Sequence, residues 1–115
     1  MSIKPQVQSV IDGILTGKIL ETFDAYYADG VVMSENRTEE RVGKAVNREY
    51  EIKFLDNVHE FHGAKVGRVI VDADHAAVEW SFDITFKDGN RVKMHQVAVQ
   101  TWKNGKIIRE DFYHS

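Results

Sequence analysis

Cysteine is absent from the 115-residue sequence. Its absence excludes disulfides, thiol nucleophiles and cysteine-ligated zinc, and is typical of the reducing cytoplasm, where we expect this protein to act. Long hydrophobic runs are also absent: no stretch approaches the roughly 20 apolar residues that a membrane span needs. The opening Met-Ser-Ile-Lys-Pro-Gln lacks the apolar segment of a secretory signal. We therefore expect no membrane association.

An excess of one charge is missing as well. The net charge is −3, and the lysines and arginines are scattered rather than gathered into a stripe. A nucleic-acid-binding protein needs a basic face, so we expect no nucleic-acid partner. Proline occurs once, as Pro5, where a first helix should begin. The rest of the composition, 43% hydrophobic and 29% charged, predicts one globular domain spanning residues 1–115.

Three segments repeat apolar residues at the spacing of one helix face. The first should end at Thr16-Gly17, because glycine commonly terminates helices. The second should run from Ile19 to about Ala28 and end at Asp29-Gly30. The apolar positions are Val7, Val10, Ile11, Ile14 and Leu15 in the first segment, Ile19, Phe23, Tyr26 and Tyr27 in the second, and Val46, Tyr50 and Phe54 in the third.

From Val58 onward the hydrophobic period changes to two, which predicts strands. We place them near residues 59–71, 75–87, 91–102 and 107–114. A short strand at Val31–Glu35 and a polar loop from Asn36 to Arg41 precede the third helix. Three helices followed by an antiparallel meander indicate an α+β fold with the helices on one face of the sheet.

The turns between the last three strands decide which side chains share a face. A three-residue turn with a bulge at Asp88-Gly89 would produce the pairs Ile84–Val92, Phe82–Met94, Trp80–Gln96 and Val78–Ala98. The same turn at Asn104-Gly105 would place Glu110 beside Ala98. A two-residue turn there would instead present Asp111 in place of Glu110, and Tyr113 in place of Phe112. Asn-Gly is compatible with both turns, so both registers stay open.

Three stretches of the chain resemble the nuclear transport factor 2-like superfamily. They are Tyr-Tyr27-Ala-Asp29-Gly-Val-Val-Met33, Val-Gly43-Lys-Ala-Val46 and the final hairpin from Trp102 to Tyr113. SnoaL-like polyketide cyclases, ketosteroid isomerases and scytalone dehydratases belong to this superfamily. The resemblance implies a cone-shaped fold, in which a curved antiparallel sheet wraps around three N-terminal helices and leaves a pocket at its wide end. It also implies a homodimer, since many members are dimeric.

Carried over one position at a time, the resemblance places the general base of ketosteroid isomerases on Glu35. Their two oxyanion-hole groups, a tyrosine and an aspartic acid, fall on Ile11 and Ala98. Both electrophilic groups are therefore missing. Loss of one oxyanion donor typically costs ~10²–10³ in rate, so we do not expect steroid isomerisation by that mechanism.

Two carboxylates are the candidate catalytic residues. Apolar neighbours at a pocket mouth would disfavour the ionised form of Glu35, as a base working near neutral pH requires. The alternative is a solvated acid in the charged run that follows. Glu110 is the second candidate, and the alternative for it is a paired buried acid or exposure on the outer face. His114 is a possible proton-transfer partner, one residue from the end of the chain.

The predicted substrate-binding residues combine aromatic rings, two methionines and amides that would hold a carbonyl or orient a water. Packing in an ordinary core is the alternative for the aromatic members. The set comprises Tyr26, Tyr27, Met33, Phe54, Trp80, Phe82, Met94, Gln96, Gln100, Phe112 and His114.

We predict no metal and no cofactor. His59 and His62 flank a glutamate, but they are three residues apart in a predicted strand, where their side chains would point to opposite faces. A dimer interface is predicted instead on the outer face of the sheet. An apolar strip there would be unusual on a monomer, and it consists of Val97, Val99, Thr101 and Tyr113.

Three functional interpretations follow. The first is a cofactorless enzyme in which carboxylates transfer a proton on an apolar, carbonyl-bearing compound, through isomerisation, cyclisation, dehydration or water addition. The second is a non-catalytic ligand-binding domain with the same pocket. The third is a dimeric interaction module whose cone is filled by its own side chains.

Overall fold

A computed structural model describes residues 2–115. Its three helices are α1 (Lys4–Leu15), α2 (Ile19–Tyr26) and α3 (Lys44–Asp56). Gly17, at φ 81°, follows the first helix as predicted. The second helix is shorter than predicted: it ends at Tyr26, and Asp29-Gly30 lies inside the strand that follows. None of the helices in residues 2–115 is long and apolar enough to cross a membrane.

Six strands form one sheet: β1 (Tyr27–Glu35), β2 (Glu39–Val42), β3 (Val58–Asp72), β4 (His75–Phe86), β5 (Arg91–Lys103) and β6 (Lys106–His114). Their order across the sheet is β2-β1-β6-β5-β4-β3. The four long strands predicted from the sequence are confirmed to within a residue or two. The predicted α+β fold is confirmed, and the meander from β3 to β6 is antiparallel throughout. Strand β1, for which the sequence predicted no partner, pairs in parallel with β6. Parallel neighbours need a long crossover connection, which α3 and the intervening strands supply.

Strand β2 lies in the segment predicted to be a loop. Its residues are mostly exposed and three of the four are charged, so no alternation of apolar residues marks it as a strand. Charged side chains are common on the edge of a sheet, where they discourage pairing with other chains. The strand places Arg41 opposite Met33, next to the mouth of the cone.

The first of the two predicted hairpin registers is confirmed. Ile84 pairs with Val92, Phe82 with Met94 and Trp80 with Gln96. The second hairpin has the two-residue turn: Asn104 and Gly105 take φ of 53° and 77°, and Lys103 pairs with Lys106.

A register shift beside Thr101 changes the consequence of that turn. Trp102 pairs with Ile107 while Thr101 pairs with Arg109, so β6 gains one residue at Ile108. Because of this bulge, the residues of β6 beyond Ile108 face the same sides of the sheet as the three-residue turn would have given them. Glu110 therefore points inward as predicted, but it lies opposite Gln100, and Phe112 is the residue opposite Ala98.

The core lies between the helices and the concave face of the sheet. Val7, Val10 and Ile11 of α1 are each at most 3% exposed, as the helical spacing predicted. Helices α1 and α2 approach closely at Gly13: a β-carbon added there would lie 1.9 Å from Thr22 Oγ1. In α3 the buried residue is Asn47, whereas Val46, expected on an apolar face, is exposed.

Candidate functional site

A cavity of about 300 Å³ opens between the helices and the concave face of the sheet. Its walls are mainly aromatic and aliphatic, and its lining includes three glutamates and one histidine but no lysine or arginine. The lining residues are Ile14, Ile19, Thr22, Phe23, Tyr27, Glu35, Tyr50, Glu51, Phe54, Phe61, Trp80, Phe82, Ile84, Met94, Gln96, Gln100, Glu110, Phe112 and His114. A cone filled by its own side chains would leave no such space.

Eleven of the thirteen residues predicted for the site line this cavity. The other two lie outside it. Tyr26 is the last residue of α2 and packs edge-on against Trp102, with ring centroids 6.2 Å apart. Met33 is 1% exposed and belongs to the hydrophobic core. Tyr27 lines the cavity and Tyr26 does not, because α2 ends at Tyr26 and Tyr27 is the first residue of β1.

Glu110 lies at the closed end of the cavity and is 2% exposed. The Tyr27 hydroxyl donates a hydrogen bond to Glu110 Oε1. Gln100 Nε2 donates to Glu110 Oε2 at 2.9 Å, and Trp102 Nε1 donates to Gln100 Oε1 at 3.0 Å. Both polar atoms of the Gln100 amide thus have partners, and these partners fix its orientation. The cluster holds one carboxyl group in a fixed position facing apolar walls.

Burial has the largest effect on the pKa values of Glu110 and Tyr27. It raises the pKa of Glu110 from 4.5 to about 7, against the opposing effect of the hydrogen bonds from Tyr27 and Gln100. The negative charges of Glu51 and Glu35 add to the increase. Burial and the Glu110 carboxylate together raise the pKa of Tyr27 well above its ordinary value of 10. Glu110 can therefore hold or release a proton near neutral pH.

Glu35 occupies the open end of the cavity in a different environment. Arg41 Nη2 lies 3.0 Å from its Oε2 and His114 Nε2 lies 2.9 Å from its Oε1. Arg41 is in turn held by Asn47 Oδ1 at 3.1 Å and lies over the Tyr50 ring. The apolar surroundings expected for Glu35 are thus found around Glu110, while Glu35 is paired. A proton must lie between Glu35 and His114, since two lone pairs would repel at this distance.

Glu51 is a third cavity carboxylate that the sequence interpretation missed. It follows Tyr50 on α3, and both residues line the cavity together with Phe54. Burial raises the pKa of Glu51 from 4.5 to about 7, Arg41 opposes the increase and Glu35 adds to it. A glutamate three residues before Phe54 on a predicted helix shares the face of that ring, and this spacing was the available signal.

The aromatic wall forms on the sheet as predicted. The rings of Trp80 and Phe82 stack with centroids 5.3 Å apart and planes 11° apart. Phe61 meets Phe82 edge-on at 5.9 Å. Together with Phe112, these rings present flat apolar surfaces to whatever enters the cavity.

On the outer face of the sheet, Val97 pairs with Tyr113 and Val99 with Asp111. Tyr113 is 39% exposed and the two valines are half-buried. Asp111 accepts hydrogen bonds from Ser34 Oγ at 2.6 Å and from Arg109, so its charge is paired. Across residues 2–115, no group of three or more His, Asp or Glu side chains is placed to hold a metal ion.

This α+β cone with an internal cavity defines a protein of the nuclear transport factor 2-like class. Residues 14–114 match the SnoaL-like domain, and the chain belongs to that family. The family is a small-molecule-binding fold.

Three solved structures illustrate the likeness. A protein from Mesorhizobium loti, described as a candidate SnoaL-like polyketide cyclase, is 31% identical with a TM-score of 0.88; the match covers 99% of this chain and 100% of that one. A Burkholderia pseudomallei protein of unknown function is 13% identical (TM-score 0.82, coverage 97% and 89%). A candidate cyclase from Jannaschia is 11% identical (TM-score 0.79, coverage 94% and 84%). No curated protein matches the sequence.

Proposed function

We propose that the protein is a cofactorless enzyme that transfers a proton on an apolar, carbonyl-bearing compound. One observation carries the proposal: a carboxylate–histidine pair and a separate buried tyrosine–carboxyl pair line the same aromatic cavity. Proton transfer next to a carbonyl needs a base at the carbon and a hydrogen-bond donor at the oxygen. The two pairs supply one of each.

Glu35, with His114 beside it, acts as the base. The Tyr27 hydroxyl acts as the donor, and protonated Glu110 positions it by donating to the Tyr27 oxygen. Glu35 lies opposite Phe112 on the neighbouring strand, two residues beyond Glu110. Adjacent strands lie ~4.8 Å apart and a strand advances ~3.3 Å per residue, so the two glutamate α-carbons are roughly 8 Å apart. A small planar compound held against the aromatic wall spans such a separation.

In the proposed step, Glu35 removes a proton from the carbon next to the carbonyl. The electron pair of that C–H bond forms the carbon–carbon double bond of an enolate, and negative charge develops on the oxygen. The Tyr27 hydroxyl donates to that oxygen and stabilises it in a water-poor environment, while protonated Glu110 donates from its Oε1 to the Tyr27 oxygen. Returning the proton to another carbon completes an isomerisation, and the same enolate can lead to elimination or ring closure.

The Tyr27–Glu110 pair replaces, at other positions, the groups that ketosteroid isomerases use. Ile11 and Ala98 are apolar and at most 3% exposed, so neither can polarise a carbonyl. Tyr27 of β1 supplies the hydroxyl donor instead, and Glu110 of β6 supports it. A carboxylic acid kept neutral by burial is a good hydrogen-bond donor, here to the Tyr27 oxygen.

A non-catalytic binding protein is the second candidate. Both Glu110 oxygens already accept hydrogen bonds from the chain, an arrangement that a purely binding pocket would also have. The two candidates differ in what Glu35 does.

A thermal-shift panel of steroids, polyketides, terpenoids and small aromatic ketones, applied to the wild type and to Glu35→Gln, tests the proposal. A ligand that binds the folded state stabilises it. We expect a ketone to stabilise both proteins, and only the wild type to turn it over. Stabilisation without turnover by the wild type would favour the binding protein, and no stabilisation by any compound would contradict both.

We also propose that two copies associate through the outer sheet face around Val97, Val99, Thr101 and Tyr113. The half-buried valines and the exposed tyrosine support this proposal. The charged groups of Asp111 and Arg109 beside them are paired with each other, so they do not oppose an apolar contact. The cavity opens on the opposite face, so each copy would keep its own site.

A further inference from the structure

Glu51 takes no part in the proposed proton transfer, yet it is a carboxylate inside an apolar cavity. Within the described part of the chain, no residue donates a hydrogen bond to Glu51. Its raised pKa is due to burial and to the charges of Arg41 and Glu35. Glu51 is half-buried and lines the cavity. A carboxylate in apolar surroundings is stabilised by a positively charged partner, and a ligand in the cavity can supply that charge.

The surroundings of Glu51 decide the charge of that partner. Every acidic or basic side chain that lines the cavity is a glutamate or a histidine, and the one nearby arginine, Arg41, is outside the lining. Arg41 is also committed to Glu35 and stacked over Tyr50. Its Nη1 atom is buried without a partner, but Arg41 is not among the residues that line the cavity. The cavity thus favours a cation over an anion.

The rings beside Glu51 suit the same kind of ligand. Tyr50 and Phe54 lie one turn apart on α3 and flank Glu51, and all three side chains line the cavity. Ammonium groups bind the faces of aromatic rings, and the attraction strengthens where water is excluded. Proteins recognise alkylated ammonium groups chiefly through such aromatic rings, and a carboxylate beside the rings adds an opposite charge.

We propose that the compound bound in this cavity carries a cationic amino group, which pairs with Glu51 between the rings of Tyr50 and Phe54. This inference rests on the proposed function, because it names the class of compound that the enzyme acts on: an amino ketone rather than a neutral one. The carbonyl would lie toward Glu110 and the ammonium group toward α3.

A bound cation stabilises ionised Glu51 and so lowers its pKa. Affinity should therefore rise as pH increases through about 7, where free Glu51 loses its proton. Two other charged groups act on Glu51: the charge of Glu35 raises its pKa and that of Arg41 lowers it. Glu110, whose pKa is also raised to about 7, gains negative charge over the same range and so strengthens the effect. Burial raises the pKa of both Tyr27 and Tyr50 above the ordinary value of 10, so these two groups stay neutral, and His114 lines the same cavity.

The test compares two ketones of the same shape, meta-(trimethylammonio)acetophenone and its neutral counterpart meta-tert-butylacetophenone. The first carries a permanent charge and neither compound titrates. Calorimetry at about pH 5 and about pH 9 should find the cation bound at least ~10-fold more tightly than the neutral ketone at the higher pH. That preference should shrink at the lower pH.

The matched variants are Glu51→Gln, which keeps the side-chain shape, and Glu49→Gln, an exposed glutamate two residues earlier. We expect Glu51→Gln to remove the preference for the cation and most of its pH dependence, and Glu49→Gln to leave both unchanged. The neutral ketone should bind Glu51→Gln at least as tightly as the wild type, which shows that the variant is folded.

The outcomes separate this inference from the function on which it rests. If both ketones bind the wild type equally, or if Glu51→Gln keeps the preference, the cationic class is wrong while the carbonyl-binding pocket stands. If neither ketone binds at either pH, both the inference and the proposed function are contradicted.

Discussion

The Tyr27 hydroxyl donates to the Glu110 carboxylate across 83 residues of sequence. The contact depends on the parallel β1–β6 pair, in which Tyr27 lies opposite Ile107 and Met33 opposite Glu110. The first residue after α2 thus meets the last strand inside the cavity. This relationship, rather than a local motif, creates the buried acid on which the proposed chemistry depends.

The stability of the folded protein should fall as pH rises from about 4 to about 8. Folding raises the pKa of Glu110 from 4.5 to about 7, so between these values the unfolded chain has released a proton that the folded chain still holds. Rising pH then favours unfolding, by roughly 3 kcal/mol for this group. In Glu110→Gln this contribution disappears, and urea titrations at the two pH values measure the difference.

Glu49→Gln is the control, because its exposed side chain leaves the decline unchanged. Glu51→Gln should also flatten the profile, since the pKa of Glu51 is raised to about 7 as well. A Glu110→Gln protein with the same pH dependence as the wild type would show that Glu110 is not held in its neutral form.

Tyr27→Phe should slow turnover by ~10²–10³, the usual effect of removing one donor to an oxyanion. Binding of the ketone should change little, because the phenyl ring keeps its stack on Phe23, where the centroids lie 4.6 Å apart. Steady-state kinetics on a ketone found in the thermal-shift panel measures both effects. Equal losses in binding and in turnover would indicate a structural role for the hydroxyl.

Gly13→Ala should destabilise the protein by ~1–2 kcal/mol, although alanine is the better helix former. The new β-carbon would lie 1.9 Å from Thr22 Oγ1 and force α1 and α2 apart. Adding Thr22→Ala should recover part of the loss. Gly30→Ala is the control, since nothing lies within 4 Å of its β-carbon position, and chemical denaturation that finds both glycine variants equally stable would refute the close helix contact.

Tyr113→Lys should convert the proposed dimer to a monomer, because it places a charge in the middle of the outer face. Light scattering coupled to size exclusion measures the mass directly. Val46→Lys, at an exposed position on α3, should leave the dimer intact. A wild-type protein that is already monomeric at micromolar concentration would remove the basis for this prediction.

Hydrophobic periodicity was sufficient to predict the helices, the long strands and the first hairpin. Strand β2 and the parallel pairing of β1 were not predictable in this way. The residues of β2 are charged and exposed, and the pairing of β1 depends on a crossover that no local pattern records. The end of α2 was misplaced because Tyr27 continues the helical spacing of apolar residues, although it starts the strand.

The site was predictable only in part, since its members come from all three helices and five strands. Glu110 was assigned to the correct face because two differences from the prediction cancel. The second turn has two residues rather than three, and the bulge at Ile108 adds one residue to β6. Glu51 was missed because one glutamate on a charged helix resembles a solvated residue. Its burial results from the packing of α3 over the sheet.

The most direct test of the account is solvent exchange at the carbon beside the carbonyl. Ketones that stabilise the protein are incubated in D₂O with the wild type and with Glu35→Gln, and NMR follows the loss of the proton signal. We expect the wild type to accelerate exchange well above the buffer rate and Glu35→Gln to return it to that rate. Exchange at the buffer rate with a bound ketone and wild-type protein would contradict proton transfer in this cavity.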